Sequence, residues 1–416
     1  MQDVYIAAVS RTPIGGYNGS LSSLSATELG SIAIKSAVEK IGLTKELVEE
    51  VVFGCVLSAN IGQNPARQAA IGAGLSNETV ATTVNKVCAS GLKATIMGAQ
   101  SIMTGQADIV VTGGMESMSQ TPYYLPQQRF GSTYGHGQVV DGVLKDGLTD
   151  VNHGYAMGVA AELCATTHEI SRDDQDDFAI RSYRRAQEAT EAGKFLKYEL
   201  TPVTVMQKKT QRTVDRDEDV FKLDENKLRQ VRPAFVNKDT PSGIIPHGSV
   251  GTVTAPNSSP LSDGAAALVL VSKAAAERYQ LPLLARIRGF ADAAQESSRF
   301  TTSPSLAIPK AVKRAGLSMD QIQFFELNEA FSVVGCANMK LLNLSSDNVN
   351  IWGGAVAMGH PLGCSGARIL CTLLSVLTDE NATFGACGIC NGGGGATAMV
   401  IERLYYHYTT TTVIYK

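Results

Sequence analysis

Short apolar runs that end in glycine alternate along this chain with longer stretches of helical periodicity. The runs DIVVTGG (108–114) and ATFGACGI (382–389) have the length and apolar content of buried strands. The stretch LKATIMGAQSIMTG (92–105) instead spaces its apolar residues at helical intervals. This alternation predicts a layered α/β fold, in which helices cover a mostly buried sheet.

The same order of turn, helix and strand occurs twice, in register. Three pairs of segments match, namely 34–54 with 308–328, 87–102 with 362–377, and 110–116 with 385–391. The spacing is 274 positions in the first pair and 275 in the other two. We therefore expect two α/β units related by a pseudo-twofold axis, with helix layers stacked between their sheets. Equivalent turns of the two units would then lie near each other, beyond the carboxyl ends of the strands where ligands bind.

The interval 120–250 breaks this pattern. It contains an amphipathic stretch (173–193), a charged segment and a run rich in Pro and Gly (237–249) that is typical of an extended surface loop. The apolar strand pattern then resumes. The predicted parts are an N-terminal half (1–119, completed by 251–273), an inserted loop domain (120–250), a C-terminal half (274–404) and a tail (405–416).

Charge and cysteine content narrow the function classes. The net charge is −3, so no broad basic field favours nucleic acid. The eight cysteines are scattered through 416 residues, which fits a reducing compartment. Cys387 and Cys390 have CxxC spacing, but no second pair lies nearby in the sequence, so the metal or redox signal is weak.

The N-terminus MQDVYIAAVSRTPIG enters a strand pattern at once, without an apolar signal core or an Arg-rich leader. No apolar stretch reaches the roughly 20 residues that span a bilayer. These features lead us to expect a cytoplasmic protein with no membrane partner, or a mitochondrial one if a leader has been removed.

Four residues near the duplicated turns carry chemistry, although each has an ordinary structural alternative. Cys88 stands at the mouth of a predicted helix, where it is either a small buried hydrophobe or a nucleophile whose thiolate the helix dipole favours. His360 precedes Pro361 and could simply cap a turn. Asn328 could form an Asx turn, and Cys390 could be packed core.

Together these residues form a chemical set, because the repeat predicts that their turns converge. A Cys with a His in reach is the minimal thiol nucleophile with its base. A second thiol is useful when a carbon acid must also lose a proton, since its pKa near 8.5 can be tuned towards the working pH. The run Gly392–Gly395 is either a bend or a source of backbone N–H groups for a developing oxyanion.

Four long motifs occur in order: VNKVCASG (84–91), NEAF (328–331), GGAVAMGHPLGCSGAR (353–368) and CNGGGG (390–395). Together they strongly resemble the thiolase family, most closely its short-chain, acetyl-transferring members, over essentially the whole chain. The resemblance implies a duplicated α/β/α/β/α layered fold with an inserted loop domain. It also implies an acyltransferase that condenses two acetyl-CoA reversibly to acetoacetyl-CoA and CoA, through an acetyl-cysteine.

The resemblance also implies a role for each residue of the set. Cys88 carries the acyl group and His360 activates it. Cys390 removes or returns the α-proton of the second acyl-CoA. Asn328 holds a water that forms, with His360, an oxyanion hole for the thioester enolate. The backbone N–H groups of Cys88 and Gly392 form a second hole.

Coenzyme A is implied to bind along the inserted loop domain as substrate and product. Its pantetheine contacts carry over to Leu148, Met157, Phe235, Ala255, Ser259 and Phe331. The nucleotide end carries over to Lys222, Leu223, Asp224 and Lys227. A solvated charged face is the ordinary alternative for these lysines, whereas a cationic cluster would suit the 3′-phosphate.

Some thiolases bind K⁺ near this loop. The Tyr whose hydroxyl binds K⁺ in these relatives corresponds to Tyr183, which is also expected to belong to the coenzyme-binding residues. The carbonyl positions carry over to Ala255, Pro256, Ser258 and Val356. Pro256 and Ser258 stand where Ala is common in the K⁺-binding relatives, so the backbone path there could differ.

Two alternatives remain open, a degradative 3-oxoacyl-CoA thiolase of broader chain length and a non-catalytic CoA-binding scaffold. The resemblance also implies a homotetramer and a place in lipid metabolism, at the supply of isoprenoid and sterol precursors. The run 237–249 is longer than the usual link in the family and lies next to the expected CoA site. The sequence assigns no role to the tail 405–416.

Overall fold

The computed structural model describes residues 2–207, 210–236, 244–245 and 250–404, which form fourteen strands and twelve α-helices. The strands are β1 (Val4–Arg11), β2 (Gly15–Gly16), β3 (Glu50–Gly54), β4 (Val80–Val84), β5 (Ile109–Ser117), β6 (Tyr123–Tyr124), β7 (Val140–Asp141), β8 (Val203–Gln207), β9 (Thr210–Val214), β10 (Ser262–Ser272), β11 (Ala285–Ala294), β12 (Phe324–Leu327), β13 (Phe384–Asn391) and β14 (Gly395–Arg403). The helices are α1 (Ala26–Lys40), α2 (Pro65–Gly72), α3 (Ser90–Met103), α4 (Met157–His168), α5 (Arg172–Glu191), α6 (Lys194–Tyr198), α7 (Glu225–Gln230), α8 (Lys273–Tyr279), α9 (Pro304–Arg314), α10 (Ser332–Leu342), α11 (Ala355–Met358) and α12 (Leu362–Asp379).

Local sequence sets where several helices begin. Ser25 accepts a hydrogen bond from the backbone of Glu28, and the Glu28 side chain accepts one from the backbone of Ser25, which is a capping box at the start of α1. Ser171 and Asp174 form the same arrangement at the start of α5. These caps satisfy N–H groups that have no partner within the helix.

The strand order shows the duplication directly. In the N-terminal half the strands follow one another as β1-β10-β5-β3, and in the C-terminal half as β11-β14-β13-β12. In each half the last pair is parallel and the other two are antiparallel. The helix and strand pairs predicted from the repeat, α1 with α9 and α3 with α12, occupy equivalent places in the chain. The predicted duplication is confirmed.

Five layers result from this arrangement. Helices α1 and α2 pack on the outer face of the N-terminal strands, and α9 packs on the outer face of the C-terminal strands. Helices α3 and α12 share one core cluster with the inner faces of both sets of strands. Leu370, Leu373 and Leu377 of α12 are fully buried there. Each such side chain contributes about 1.5–3 kcal/mol by leaving water. The predicted α/β/α/β/α fold is confirmed.

The two sets of strands are hydrogen-bonded to each other, which the sequence did not indicate. Tyr5 and Ile6 of β1 pair with Arg286 and Ala285 of β11, and this short ladder joins both halves into one ten-stranded sheet. The expectation of two separate sheets is therefore corrected. The sheet bends around the inner helices, so its two halves still cover them from both sides.

The inner helices cross closely because glycine occupies equivalent positions in both. A Cβ atom at Gly366 of α12 would lie 2.5 Å from the backbone nitrogen of Leu92 in α3. A Cβ atom at Gly91, the equivalent position in α3, would lie 2.9 Å from the nitrogen of Ala367. No larger residue allows this approach without a shift of backbone. The crossing brings together the first turns of α3 and α12, and with them the preceding residues.

Residues 120–236 of the predicted loop domain form α4 to α7 and two small hairpins, β6 with β7 and β8 with β9. They are tied to β1 by a buried ion network. Arg11, which is fully buried, donates to Glu199 at 2.6 Å and to Asp217 at 2.7 Å. The exact division into domains stays a prediction. The run 237–249, apart from 244–245, and the tail 405–416 lie outside the described residues.

Helix α12 also corrects the expectation about apolar stretches. Its 18 residues are long and apolar enough to cross a membrane by length and composition. However, 89% of this stretch is buried inside the protein, where it forms half of the central helix layer. The apolar composition of α12 is therefore explained by its place in the core.

Candidate active site

A cavity of about 300 Å³ opens where the first turns of α3 and α12 meet. Both halves and the inserted segment contribute to its wall. It brings together ten of the residues predicted from the sequence: Cys88, Leu148, Met157, Phe235, Ala255, Ser258, Ser259, Phe331, His360 and Gly392. The sequence did not single out other residues of the wall, among them Met118, Leu144, Phe300 and Leu362.

Cys88 lies two residues before α3 and is 8% exposed, at the floor of the cavity. Burial raises the pKa of this thiol to about 11, although the backbone N–H groups of Gly392 and of Cys88 itself act in the opposite direction. The helix dipole was expected to favour the thiolate, and burial outweighs it. The two N–H groups assigned to the second oxyanion hole therefore both face the sulfur.

His360 lies in the turn before α12 and is held by Ser365. The Ser365 hydroxyl donates to the carbonyl of Pro361 (3.0 Å), so its oxygen accepts the Nδ1–H of His360 (2.5 Å). The other ring nitrogen, Nε2, is then unprotonated and lies 3.5 Å from Nδ2 of Asn328. Burial, helped by the charge of Arg368, lowers the pKa of His360 to about 3. The imidazole is thus a neutral base with a fixed tautomer.

Cys390 ends up behind the cavity wall. It is fully buried near the end of β13 and packs in one cluster with Met157, Phe300 and Ala330, all of which line the cavity. Burial raises its pKa well above that of an ordinary thiol, and the neighbouring Cys88 raises it further. Two thiols close enough to influence each other's ionisation therefore meet at this point. The sequence led us to expect a thiol pKa tuned towards the working pH. The pKa of Cys390, like that of Cys88, is instead raised above the ordinary value.

Asn328 follows β12 and is 1% exposed. Its backbone N–H donates to the carbonyl of Gly388 in β13, which fixes the turn beside Cys390 (3.0 Å). Its side-chain oxygen is buried and accepts no hydrogen bond from the described residues. This amide therefore has one group facing His360 and one acceptor still available.

Glu116 is a site residue that the sequence did not reveal. Its buried carboxylate accepts backbone N–H groups from Val56 (3.1 Å), Leu57 (3.1 Å) and Gly363 (2.8 Å). It therefore links the loop after β3 to the start of α12, directly below His360. Burial raises its pKa to about 7, despite these three hydrogen bonds. The only available signal was its place in VVTGGME, one of the repeated segments.

The four residues predicted for the nucleotide end of CoA lie outside the cavity wall. Lys222 is largely exposed and pairs with Asp219. Leu223 packs beside the core cluster that contains Tyr183. Asp224 caps α7 by accepting the N–H of Lys227 (3.0 Å). Nothing in these contacts tests a nucleotide role, which stays a prediction.

The residues predicted for K⁺ lie on or beside α5, and whether they form one site stays a prediction. Tyr183 of α5 and Val356 of α11 belong to one cluster. The loop that carries the other carbonyls, at Ala255, Pro256 and Ser258, is fixed to α5 because Asn257 donates to Asp176 (2.9 Å). Burial raises the pKa of Tyr183 to about 12, so its hydroxyl is neutral. Neutral oxygen donors of this kind suit a weakly hydrated monovalent cation. Among the described residues, no cluster of three His, Cys, Asp or Glu side chains suits a metal ion.

Comparison with known proteins agrees with this geometry. Residues 4–274 match the family description "Thiolase, N-terminal domain", and residues 281–403 match "Thiolase, C-terminal domain". The cytosolic acetyl-CoA acetyltransferase of Gibberella zeae is 56% identical over 391 residues, which cover 94% of this chain and 95% of that protein. Acetyl-CoA acetyltransferase 2 of Arabidopsis thaliana is 54% identical over 393 residues, covering 94% of each chain.

Solved structures give the same result. The Acat5 thiolase from Ascaris suum in complex with coenzyme A is 41% identical, with a TM-score of 0.89 over 97% of this chain and 100% of that one. The acetyl-CoA acetyltransferase of Bacillus anthracis is 34% identical, with a TM-score of 0.92 over 97% and 99%. Motifs, duplicated fold, paired thiols and both family matches thus agree, and the chain belongs to the thiolase family.

Proposed function

We infer that this protein is an acyltransferase, an acetyl-CoA C-acetyltransferase that condenses two acetyl-CoA reversibly to acetoacetyl-CoA and CoA. The observation that carries this inference is that Cys88, which lines an apolar cavity together with the neutral imidazole of His360, has a second thiol, Cys390, as a close neighbour behind the cavity wall. A hydrolase needs one nucleophile, whereas carbon–carbon bond formation needs a nucleophile and a separate base for the carbon acid. The names of the curated relatives support the same activity.

In the first half-reaction Cys88 and His360 both start neutral, and a proton moves between them as the thioester is attacked. The Cys88 proton passes to Nε2 of His360, which is free because Nδ1 donates to Ser365. The sulfur forms a bond to the acetyl carbonyl, and the oxyanion receives the N–H groups of Cys88 and Gly392. The C–S bond to CoA then breaks, and the leaving thiolate takes the proton of Cys390.

In the second half-reaction the Cys390 thiolate removes a methyl proton from a second acetyl-CoA. Its raised pKa makes it a strong base once it is ionised. The enolate oxygen is stabilised by the protonated His360 and by a water on Asn328, whose side-chain oxygen is free to hold it. The carbanion attacks acetyl-Cys88, and the departing Cys88 sulfur recovers its proton from His360. Every group then returns to its starting protonation state.

The cavity wall supports a short acyl group and a pantetheine arm. All six residues proposed for pantetheine line the cavity, and nearly all of its wall is apolar. Met118, Met157 and Phe300 surround the sulfur end and limit the room there. We therefore propose that Lys222, Leu223, Asp224 and Lys227 contact the nucleotide end outside the cavity.

A K⁺ ion would be held by the Tyr183 hydroxyl and the carbonyls of Ala255, Pro256, Ser258 and Val356. The donor set is neutral, and its two parts each contact α5, which supports such an ion. When bound, K⁺ would stiffen the loop that carries Ala255 and Ser259 beside the substrate.

A homotetramer is proposed on the basis of two surfaces. Strand β4 is the outer edge of the sheet, and Val80 on it is 62% exposed. The segment between β6 and β7 exposes Phe130, Tyr134 and Val139. An uncovered edge strand and an exposed aromatic segment both favour contact with other copies of the chain.

A cytoplasmic location and a supply of isoprenoid and sterol precursors are proposed from the cytosolic relative, with a mitochondrial location as the alternative.

Labelled acetyl-CoA tests this function. Wild type should incorporate one acetyl group per subunit and form acetoacetyl-CoA. Cys88→Ala should abolish incorporation, and Cys390→Ala should keep incorporation but lose condensation. Condensation at the normal rate by Cys390→Ala would contradict the assigned base. No incorporation by wild type would favour a non-catalytic scaffold.

Substrate choice is tested by thiolysis of acetoacetyl-CoA beside longer 3-oxoacyl-CoAs, with and without K⁺. We expect acetoacetyl-CoA to give the highest kcat/KM. Equal or better rates with the longer substrates would instead identify a degradative thiolase.

A further inference from the structure

Lys86, two residues before Cys88, reaches across to the other half of the molecule. Its ammonium donates to a carboxylate oxygen of Asp292 in β11 (2.5 Å), to the Thr397 hydroxyl (2.7 Å) and to the carbonyl of Ala396 (3.3 Å). Thr397 and Ala396 belong to β14. Ala396 is the cross-strand partner of Cys390 in the β13–β14 ladder. One side chain thus connects the turn of the nucleophile to the residue paired with the base.

The turn that holds Cys88 is strained and does not keep its shape through the backbone alone. Val87, a β-branched residue, has φ +49° in the left-handed region. Such a conformation costs on the order of 1–3 kcal/mol and persists only when surrounding contacts impose it. Asn85 accepts the Val87 N–H (2.9 Å) and Ser90 donates to the Val87 carbonyl (2.6 Å). These contacts lie within the turn, so they cannot fix its position relative to β13 and β14.

The group of contacts around Asp292 connects the turn to β14, in addition to the Gly392 N–H that faces the Cys88 sulfur just after β13. Asp292 accepts from Lys86, from Lys93 (2.7 Å) and from Thr397 (2.7 Å). Burial alone would raise its pKa, but the hydrogen bonds from the two lysines and the threonine outweigh burial and lower it to about 2. The carboxylate is therefore ionised throughout the working pH range. The Lys86 side chain is 25% exposed and that of Asp292 is 39% exposed, so water screens this pair in part, and its importance lies in the contacts it joins.

We propose that Lys86 and Asp292 are positioning residues that fix the distance between the Cys88 and Cys390 sulfurs, and so govern the carbon–carbon bond-forming step. This inference rests on the proposed function, since it assumes that both thiols act in one reaction. Neither residue lines the cavity. A displacement of about 1 Å between reacting groups costs roughly 100-fold in rate, so loss of the Lys86–Asp292 contact should slow this step strongly. Carbon–carbon bond formation and its reversal need the two sulfurs at a set distance, whereas in acetylation Cys390 only protonates the leaving CoA thiolate, which is a good leaving group by itself.

The chain offers a matched control for this tether. Lys93 pairs with the same carboxylate as Lys86, but among the described residues it makes no hydrogen bond or ion pair with β14. Lys86→Met and Lys93→Met each remove one ion pair with Asp292, and they differ in the contact to Thr397 and Ala396. Lys86→Arg keeps the charge and the reach.

The experiment measures acetylation of Cys88, steady-state condensation and KM for each variant. In Lys86→Met we expect kcat for condensation to fall about 30-fold, with KM changed less than about twofold and acetylation slowed less than about fivefold. The number of acetyl groups incorporated per subunit should stay at the wild-type value, which excludes unfolding as the cause. Lys86→Arg should recover most of the rate, and Lys93→Met should lose less than about threefold.

Two results would overturn the inference. One is a wild-type rate in Lys86→Met, and the other is an equal loss in both half-reactions or in both lysine variants. Both differ from failure of the proposed function, in which wild type itself would show no acetylation or no condensation.

Discussion

The two halves of this molecule build the same turn and use it differently. In both, the first turn of an inner helix carries a serine at the equivalent position, Ser90 in α3 and Ser365 in α12. Each hydroxyl donates to a carbonyl of the preceding turn, that of Val87 or that of Pro361. The scaffold of the two turns is therefore shared. The residue placed in it decides whether a half supplies the proposed nucleophile, Cys88, or the proposed base, His360.

The position of Cys88 in the N-terminal half corresponds to Gly363 in the C-terminal half. A Cβ atom at Gly363 would lie 2.6 Å from the carbonyl oxygen of Met115 and 2.9 Å from Cα of Cys55. No thiol could stand there. The C-terminal half instead provides His360 just upstream. The duplicated fold thus yields one site with complementary parts, because close packing excludes a second nucleophile.

The ends of the equivalent strands β5 and β13 differ in the same way. Cys390 in β13 corresponds to Met115 in β5, which is fully buried core, and Asn391 corresponds to Glu116. Glu116 binds backbone N–H groups at the start of α12 rather than substrate. One half therefore supports the site that the other half completes.

The largest expected effect concerns the ionisation of the thiol in the N-terminal turn. With a pKa of about 11, Cys88 should be about 200-fold less ionised at pH 8 than an ordinary thiol. A thiol with a raised pKa stays neutral up to a higher pH. Since only the thiolate reacts with iodoacetamide, alkylation of Cys88 should rise about tenfold per pH unit from pH 7 to 10. Peptide mapping would assign the modified residue. A plateau below pH 8 would show that the helix start stabilises a thiolate after all.

The next effect tests the C-terminal turn. Ser365→Ala removes the group that accepts Nδ1–H, so His360 is free to adopt the wrong tautomer. We expect kcat/KM for acetylation to fall about 100-fold, because general base catalysis is worth roughly that much. The rate is measured per active subunit, by titration with labelled acetyl-CoA. An unchanged rate would mean that packing alone orients the imidazole.

Alanine substitutions at the two glycines where α3 and α12 cross should destabilise the protein to a similar extent. Gly366→Ala and Gly91→Ala each place a methyl group against backbone, at 2.5 Å and 2.9 Å. Each should lower the free energy of unfolding by about 2 kcal/mol, a typical cost of overpacking. Urea unfolding measures this change, with Gly137→Ala as the control, since its Cβ would meet nothing closer than 3.7 Å. A loss in only one variant would show that the crossing is not symmetric.

The smallest expected effect belongs to the serine of the N-terminal turn. Ser90 accepts the backbone N–H of Lys86 (2.8 Å) and donates to Val87, but it touches no catalytic group. Ser90→Ala should slow acetylation about tenfold by loosening the strained turn. Burst kinetics of CoA release measure this rate. A loss as large as that of Ser365→Ala would erase the distinction between the two turns.

Sequence patterns were sufficient for the fold and for much of the site. The repeat spacing stayed constant to one residue, so the equivalence of α3 with α12 and of β5 with β13 could be predicted. Cys88 and His360 were predicted from long motifs and the pantetheine residues from the family resemblance, and all of them line the cavity. These features depend on local order along the chain, which a sequence shows directly.

The supporting contacts could not be predicted in the same way. Lys86 meets Asp292 across 206 positions, and no periodicity links them. Ser365 was visible only as part of the repeated Ser-Gly, and its bond to His360 depends on how the turn folds. The pKa of Cys88 was expected to move downward, because helix position is apparent in a sequence but depth of burial is not.

The burial of α12 has a consequence for how the protein is made. This helix is synthesised near the end of the chain, yet it fills the space against α3 and the inner strands. Until it leaves the ribosome, the earlier half presents a large apolar face with nothing to cover it. Nascent chains with such faces aggregate unless chaperones shelter them. We therefore expect chains that stop before α12 to be insoluble, however complete their N-terminal strands.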